Sequence, residues 1–239
     1  MIAVLLVGGL GTRLRSVVPS LPKPLASVGD KPFLELLVQQ LVQQEIRHLV
    51  MCTGYLAEQI EGVFGDGGHL GAKIEYSREV VPLGTAGALK LAQHHVQHES
   101  NFLVLNGDSF VEVDFSKLIA CHRKRGCLAT MAAVPVPDAS RYGAVRLGAN
   151  SRVLGFTEKT GKNTPGIINA GVYVLDRAVL TQIPDGPGSL EREVFPRLLP
   201  QGVYAVEQRG LFIDIGTPDD YERARKMCAR LATAASYQI

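Results

Sequence analysis

Two cations and two carboxylates in this chain stand at the ends of apolar runs, in surroundings that suit phosphate chemistry. Arg13 belongs to the glycine turn Gly8-Gly9-Leu10-Gly11-Thr12-Arg13-Leu14, and Lys23 is bracketed by Pro22 and Pro24. Asp108 sits in Asn106-Gly107-Asp108-Ser109, directly after the apolar run Phe102 to Leu105. Asp214 interrupts the apolar stretch Phe212 to Ile215. The glycines let the backbone turn tightly and present bare N–H groups to a ligand. No acidic residue lies between Arg13 and Lys23. Successive N–H groups flanked by two cations make an anion site, and phosphates are its natural occupant.

Two common glycine signatures are excluded. The chain has no Gly-Lys-Ser/Thr, so it carries no P-loop of the Walker type. Gly9 and Gly11 begin a G-x-G-x-x-G pattern, but Leu14 occupies the third glycine position, which counts against a dinucleotide-dependent dehydrogenase.

The carboxylates can be placed by a positional rule. In an open parallel sheet, ligands lie beyond the carboxyl ends of the strands. Asp108 therefore belongs in the same crevice as the Gly8 to Arg13 turn, where a carboxylate can hold Mg²⁺ against phosphate oxygens. Asp214 lies among Phe and Ile, where an unpaired charge is costly. Thr217 is the better helix cap before Pro218, so capping does not account for Asp214. A third glycine-rich segment, Val81 to Ala88, feeds a helix start at Gly84-Thr85; its small residues let a flat ring approach free N–H groups. His94 and His98 are spaced i, i+4 but have no third ligand, so a solvated helix end is expected there.

The elements that must position these groups follow from hydrophobic periodicity. Ile2 to Val7, Leu49 to Thr53, Lys73 to Ser77 and Phe102 to Leu105 read as strands. Helices are expected from Pro32, from Leu56 to Phe64 and from Gly84 to about Val96. This alternation calls for a Rossmann-like α/β fold, an open, mixed but mainly parallel sheet with helices on both faces. From about Val134 the strands become short and turn-rich, at Gly143 to Leu147, Val153 to Thr157, Ile167 to Val174, Val203 to Val206 and Phe212 to Ile215. Helices are expected at Leu190 to Leu198 and Pro218 to Leu231, with a loose tail from Ala232 to Ile239. The expectation is one domain over residues 1–239: a nucleotide half to about residue 133, then a smaller substrate-side β subdomain over about 134–231.

Composition narrows the function classes. The chain has 239 residues, 46% hydrophobic and 20% charged, enough for a sizeable core. A net charge of +2 argues against nucleic-acid binding by bulk electrostatics. Four cysteines without a C-x-x-C pair suggest reduced thiols in a cytoplasmic protein. No stretch reaches the ~18 apolar residues of a membrane span, and the first run ends in Gly-Gly as a strand does.

Taken together, Gly8 to Leu14 followed by Pro22-Lys23-Pro24 resembles the signature of the sugar-1-phosphate nucleotidylyltransferases. The resemblance implies a nucleoside triphosphate and a sugar 1-phosphate as substrates, and pyrophosphate as a product. It implies catalytic cations at Arg13 and Lys23. It implies a nucleotide site at Leu6, Gly8, Gly9, Gly11, Thr12, Arg13, Gly84, Thr85 and Asp108. It makes Asp108 and Asp214 a pair of Mg²⁺ ligands. The sugar-phosphate side would come from Tyr142, Gly143, Glu158, Lys159, Asn169 and Gly171, with Glu158 on sugar hydroxyls and Lys159 on the phosphate. One departure is Arg15-Ser16-Val17 where many members carry Pro-Leu-Thr. Pro82-Leu83-Gly84-Thr85-Ala86-Gly87 resembles the base segment of the members that use GTP. Asp30 to Glu35, Asn106 to Phe110 and the absence of a following hexapeptide repeat point to the heptose 1-phosphate guanylyltransferase branch, serving bacterial capsule or lipopolysaccharide. Mannose 1-phosphate guanylyltransferases and N-acetylmuramate 1-phosphate uridylyltransferases are the rivals. A non-catalytic nucleotide-sugar sensor is the alternative from another class; it should have lost one of the four charged groups, and all four are present. A homo-oligomer is left open.

Overall fold

The computed structural model describes residues 1–157 and 164–236. Its strands are β1 (Ile2–Leu6), β2 (Ser27–Val28), β3 (Lys31–Pro32), β4 (His48–Thr53), β5 (Lys73–Arg78), β6 (Asn101–Asn106), β7 (Ser109–Val111), β8 (Ala129–Val136), β9 (Ala144–Leu147), β10 (Val153–Thr157), β11 (Gly166–Asp176), β12 (Val203–Glu207) and β13 (Phe212–Asp214). Its helices are α1 (Phe33–Gln43), α2 (Ala57–Phe64), α3 (Gly84–Leu91), α4 (Gln93–Val96), α5 (Phe115–Arg125), α6 (Val179–Gln182), α7 (Phe195–Leu198), α8 (Pro218–Lys226) and α9 (Cys228–Ala235).

β1 is apolar at every position because both of its faces are covered. Ala3 and Leu5 enter a core shared with α1, α2, α5, α8 and α9. Ile2 and Val4 enter a second core beneath α3, α4, α6 and α7. Removing a buried side chain of this kind, as in Leu5→Ala, costs about 2–5 kcal/mol. The main sheet runs β10-β9-β11-β6-β1-β4-β5, and β8 joins β11 to β12. β5, β4, β1 and β6 are mutually parallel, so their carboxyl ends open on one side. β11 is antiparallel to β6, β8 and β9, which makes the sheet mixed. The expected division near residue 133 falls inside β8, and one sheet spans both halves.

Several boundaries differ from expectation, each for a packing reason. The helix expected from Gly84 to Val96 breaks at Ala92, a fully buried residue whose turn brings Leu89 and Val96 into the same core. The tail expected to be loose from Ala232 is helical to Ala235, because Leu231 and Ala235 stack at i, i+4 in the core with α1. α5 and the start of β8 were not anticipated. Asp114 caps α5 by accepting from the Lys117 N–H at 2.9 Å, and Gly126 closes it at φ 57°. The helix expected at Leu190 begins as a wide π-type turn over Leu190–Val194 before α7. Among the described residues, no helix is long and apolar enough to cross a membrane.

His122 of α5 is fully enclosed behind the sheet. Its Nε2 lies 3.2 Å from the Asn101 amide nitrogen and must accept, so Nδ1–H donates to Thr130 Oγ1 at 3.0 Å. Burial holds the imidazole below its ordinary pKa of 6.5, against the pull of the Asp176 charge. The fold therefore favours the neutral ring, and stability is lost as pH falls below 6.5 because the unfolded chain takes the proton more readily. The melting temperature should drop between pH 7.5 and 5.5, and His122→Asn should flatten that drop; equal slopes for the two proteins would exclude His122 as its source.

Candidate active site

The glycine turn leaves β1 at the carboxyl edge of the sheet and is tied down on both sides. Val7 N–H donates to Cys52 O at 3.0 Å, and Tyr55 N–H donates to Gly8 O at 3.3 Å. Gly11 has φ 59°, and a Cβ there would lie 3.1 Å from Lys23 Cβ. A side chain at 11 would thus be strained and would push Lys23 away. Lys23 opens a short 3₁₀ turn, Lys23–Leu25, between Pro22 and Pro24, whose fixed φ angles hold its backbone. The proline bracket seen in the sequence is a mount for this one ammonium.

Asp108 reaches the same place from β6. Gly107 donates its N–H to Leu6 O at 3.0 Å, and a Cβ on it would fall 2.5 Å from Val7 Cγ1. Only glycine lets the two loops close on each other. Lys23 Nζ then donates to Asp108 Oδ2 at 2.6 Å; the lysine side chain is 10% exposed and the aspartate 38%. Asp214 arrives from β13, which pairs with β7 so that Asp214 faces Ser109. Ser109 Oγ lies 3.0 Å from Asp214 Oδ2 and 3.2 Å from Asp108 Oδ1, so one hydroxyl links the two carboxylates. Gly216, on the cleft wall, donates to Asp214 Oδ1 at 2.6 Å. Arg13 is exposed nearby, its Nη2 3.4 Å from where a Gly216 Cβ would stand, and it has no acidic partner among the described residues.

Electrostatics separates the two acids. Burial opposes charge on Asp108, but the Lys23 ammonium and its hydrogen bond outweigh it and hold the carboxyl below the usual range. Burial and then the Asp108 charge push Asp214 up, despite Lys23, the Gly216 N–H and Ser109. Two carboxylates served by one full ammonium are an oxygen-only donor set suited to a hard divalent cation. Among the described residues, no group of three His, Cys, Asp or Glu forms a denser metal site.

Arg13, Lys23, Asp108 and Gly216 border a cleft of about 350 Å³, and Asp214 stands behind its wall, joined to it through Ser109 and Gly216. Leu6, Gly8, Gly9, Gly11, Thr12, Arg13, Lys23, Gly84, Thr85 and Asp108 all line it. Gly9 has open space at its Cβ position, as a backbone meeting a ligand requires. Gly84 also gives room to a neighbouring loop: a Cβ there would lie 2.5 Å from Gly188 O. The Thr85 hydroxyl is likewise committed, accepting from Leu190 N–H at 2.8 Å and donating to Glu191 Oε2 at 2.9 Å.

Of the expected sugar-side residues, Tyr142, Gly143, Asn169 and Gly171 do not line this cleft. Tyr142 packs edge-on against Phe212 at 5.5 Å, two residues from Asp214. Asn169 N–H donates to Gly143 O at 3.4 Å. Gly171, at φ 75°, makes room for Asn106: its Cβ would lie 2.9 Å from Asn106 Nδ2. Glu158 and Lys159 lie outside the described residues. His94 and His98 are exposed, and His95 Nδ1 lies 3.0 Å from Glu75 Oε2.

Sequence reasoning missed Glu79 and Glu191. Glu79 follows β5 and borders the cleft, so the rule that singled out Asp108 applies to it as well. Its Oε2 accepts from Leu83 N–H at 3.0 Å, while no described residue donates to Oε1, which lies 3.0 Å from where a Gly8 Cβ would be. Burial raises its pKa. Nothing in the sequence around Ser189-Leu190-Glu191 signals that Glu191 bonds two residues of the cleft wall, Thr85 and Asn106.

A family model described as nucleotidyl transferase matches residues 2–230. The chain belongs to the nucleotidyl transferase family. It is 41% identical over 226 residues to the D-glycero-alpha-D-manno-heptose 1-phosphate guanylyltransferase of Aneurinibacillus thermoaerophilus, covering 94% of this chain and 96% of that protein. It is 39% identical to the mannose-1-phosphate guanylyltransferase of Mycobacterium tuberculosis, spanning 92% of this chain but 62% of that protein. The crystal structure of HddC from Yersinia pseudotuberculosis complexed with GMP-PN superposes with a TM-score of 0.84 at 34% identity, covering 94% and 98% of the two chains. In this nucleotidyl transferase, the upward shift of Asp214 makes its ionised form a burden on the fold when no cation is present. A raised carboxyl pKa stabilises the fold at low pH, and that contribution is lost as pH rises through it. In EDTA at pH 8, Asp214→Asn should therefore melt at a higher temperature than the unaltered protein. At pH 4 the gain should shrink. A lower melting temperature at pH 8 would contradict the like-charge account.

Proposed function

We propose that this protein transfers the guanylyl group of GTP to D-glycero-alpha-D-manno-heptose 1-phosphate, giving GDP-heptose and pyrophosphate for capsule or surface-glycan synthesis in the cytoplasm. The observation that carries the proposal is that Arg13, Lys23 and Asp108 border the same cleft as the Gly8 to Gly11 turn, with Asp214 linked to Asp108 through Ser109. The heptose assignment rests on likeness to the Aneurinibacillus enzyme over nearly the full length of both chains.

The chemistry asks little of nucleophile activation. A phosphate oxygen of the sugar 1-phosphate attacks the α-phosphorus in line; that O–P bond forms as the bond to the bridging oxygen of the departing pyrophosphate breaks. Catalysis is then positioning and charge neutralisation. Arg13, exposed and free of an acidic partner, is available to the β- and γ-phosphates. Lys23 has only to move its ammonium from Asp108 to a phosphate oxygen, because the proline bracket fixes its backbone. Asp108 and Asp214 would hold Mg²⁺, which would supply further charge neutralisation at the α-phosphate.

Glu79 supports GTP as the nucleotide. Guanine carries two adjacent donors, N1–H and the N2 amino group, and a carboxylate accepts both at once. Uracil and thymine offer a single ring N–H on that edge. No described residue donates to Glu79 Oε1 at the cleft wall, which suits a base-reading acceptor. Mannose 1-phosphate is the second reading for the sugar, favoured by the Mycobacterium relative.

Pyrophosphate release measured across GTP, UTP, dTTP, CTP and ATP, each with heptose 1-phosphate and mannose 1-phosphate, should be fastest with GTP and the heptose. Lys23→Ala should lower turnover by ~10²–10³ with the fold intact. Glu79→Gln should cut the preference for GTP over UTP by about tenfold, the value of one lost charged hydrogen bond. Release with UTP or dTTP but not GTP would overturn the base assignment, and faster release with mannose 1-phosphate would replace the sugar.

A further inference from the structure

Among the described residues, one buried side-chain polar atom at the cleft is left without a partner. Asn106 ends β6, two residues before Asp108, and its side chain borders the cleft. Its Oδ1 is buried and receives no hydrogen bond. Leaving such an acceptor bare costs free energy, so the surroundings must hold it there for a reason.

The constraint comes from Glu191. Asn106 Nδ2 donates to Glu191 Oε1 at 3.3 Å. The same oxygen accepts from Tyr173 OH at 3.2 Å, and Tyr173 in turn accepts from Asn169 Nδ2 at 2.8 Å. The other oxygen, Oε2, accepts from Thr85 Oγ1 at 2.9 Å and from Ser189 Oγ at 3.2 Å. An ionised carboxylate accepts only, so it can take the NH₂ of the Asn106 amide and cannot take its oxygen. The amide cannot turn over without setting two acceptors against each other. Gly171 completes the seat, since any side chain there would meet Asn106 Nδ2 at 2.9 Å. Glu191, Tyr173 and Gly171 thus fix which end of the amide is left over, and it is the acceptor.

We infer that Asn106 Oδ1, oriented by Glu191, accepts a hydrogen bond from a substrate hydroxyl, making Asn106 a specificity residue and Glu191 its positioning residue. Triphosphate oxygens are excluded as occupants because they carry no proton to give. A hydroxyl can come from the ribose of the nucleotide or from the ring of the sugar 1-phosphate. The inference rests on the nucleotidyltransfer reading above and deepens it.

The test is steady-state kinetics of the full chain with GTP, 2′-deoxy-GTP, 3′-deoxy-GTP and the preferred sugar 1-phosphate, for the unaltered protein, Asn106→Ala and Glu191→Gln. A glutamine at 191 can offer its own NH₂ to Asn106 and so release the amide to turn a donor toward the cleft. Both variants should raise KM for one substrate about tenfold, with kcat and the other KM changed by less than about threefold. If the ribose is the source, one deoxy-GTP should lose about tenfold in kcat/KM with the unaltered protein and lose nothing further with Asn106→Ala. If the sugar is the source, the deoxy nucleotides should behave alike in both proteins and the KM rise should fall on the sugar 1-phosphate. Asn106→Ala, at the cleft wall, keeps the test open should Glu191→Gln fail to fold, and a melting curve checks each variant. Unchanged KM values for both substrates in Asn106→Ala would overturn the inference, as would an equal fall in kcat with no KM selectivity. Absence of pyrophosphate release by the unaltered protein with any nucleotide would instead sink the nucleotidyltransfer reading.

Discussion

The contact between the Lys23 ammonium and the Asp108 carboxylate at 2.6 Å is the interaction on which the rest of the site depends. One cation is set against two acids, because Asp214 stands a single hydroxyl away at Ser109. Like charges this close raise each other's energy, and the burden falls on Asp214 because Lys23 touches only Asp108. The fold keeps this arrangement by main-chain means: the Gly107 N–H on Leu6 O, the Gly216 N–H on Asp214 and the pairing of β13 with β7. A site held so firmly, with charge left over, is preorganised for an ion and a polyphosphate.

The glycines show how close approach is distributed. Gly9 faces open space, which suits a ligand. Gly11, Gly84, Gly107 and Gly171 instead face other parts of the chain at 2.5 to 3.1 Å. They let the Lys23 turn, the 188 loop, the first strand and the Asn106 amide come together. Most of the glycine content around the cleft therefore serves assembly, and a smaller part serves contact with substrate.

Assembly also explains why β11 matters to a cleft it does not line. β11 crosses from the parallel to the antiparallel side of the sheet, and its register against β8 shifts between Asn169 and Tyr173. Gly171 sits in that shift at φ 75°, and Asn169 and Tyr173 reach Glu191 through a relay of hydrogen bonds. Because Glu191 also binds Thr85 and Asn106, α3, β6 and β11 share one carboxylate. Buried polar networks of this kind are rigid when satisfied, and among the described residues Asn106 Oδ1 is the acceptor of this one left without a partner.

The sequence by itself determined the local devices. The Gly8 to Leu14 turn, the Pro-Lys-Pro bracket, the apolar strands before Asp108 and Asp214, and the α/β alternation are all encoded within a few residues, through φ freedom, ring closure and periodicity. It was weaker where packing overrules pattern: the Ala-rich end of α9 is ordered by Leu231 and Ala235 against α1, which no local signal announces. Tertiary structure alone decided which distant groups meet. Residues 23 and 108 are 85 apart, 109 and 214 are 105 apart, and 85 and 191 are 106 apart. Strand order and register bring such pairs together, and a linear pattern carries no record of register between strands that are far apart in the chain. Glu79 stood at a strand end within reach of the rule that found Asp108, but Glu191 was passed over for that reason: it is an ordinary acid in sequence and acquires its role from what the sheet places beside it.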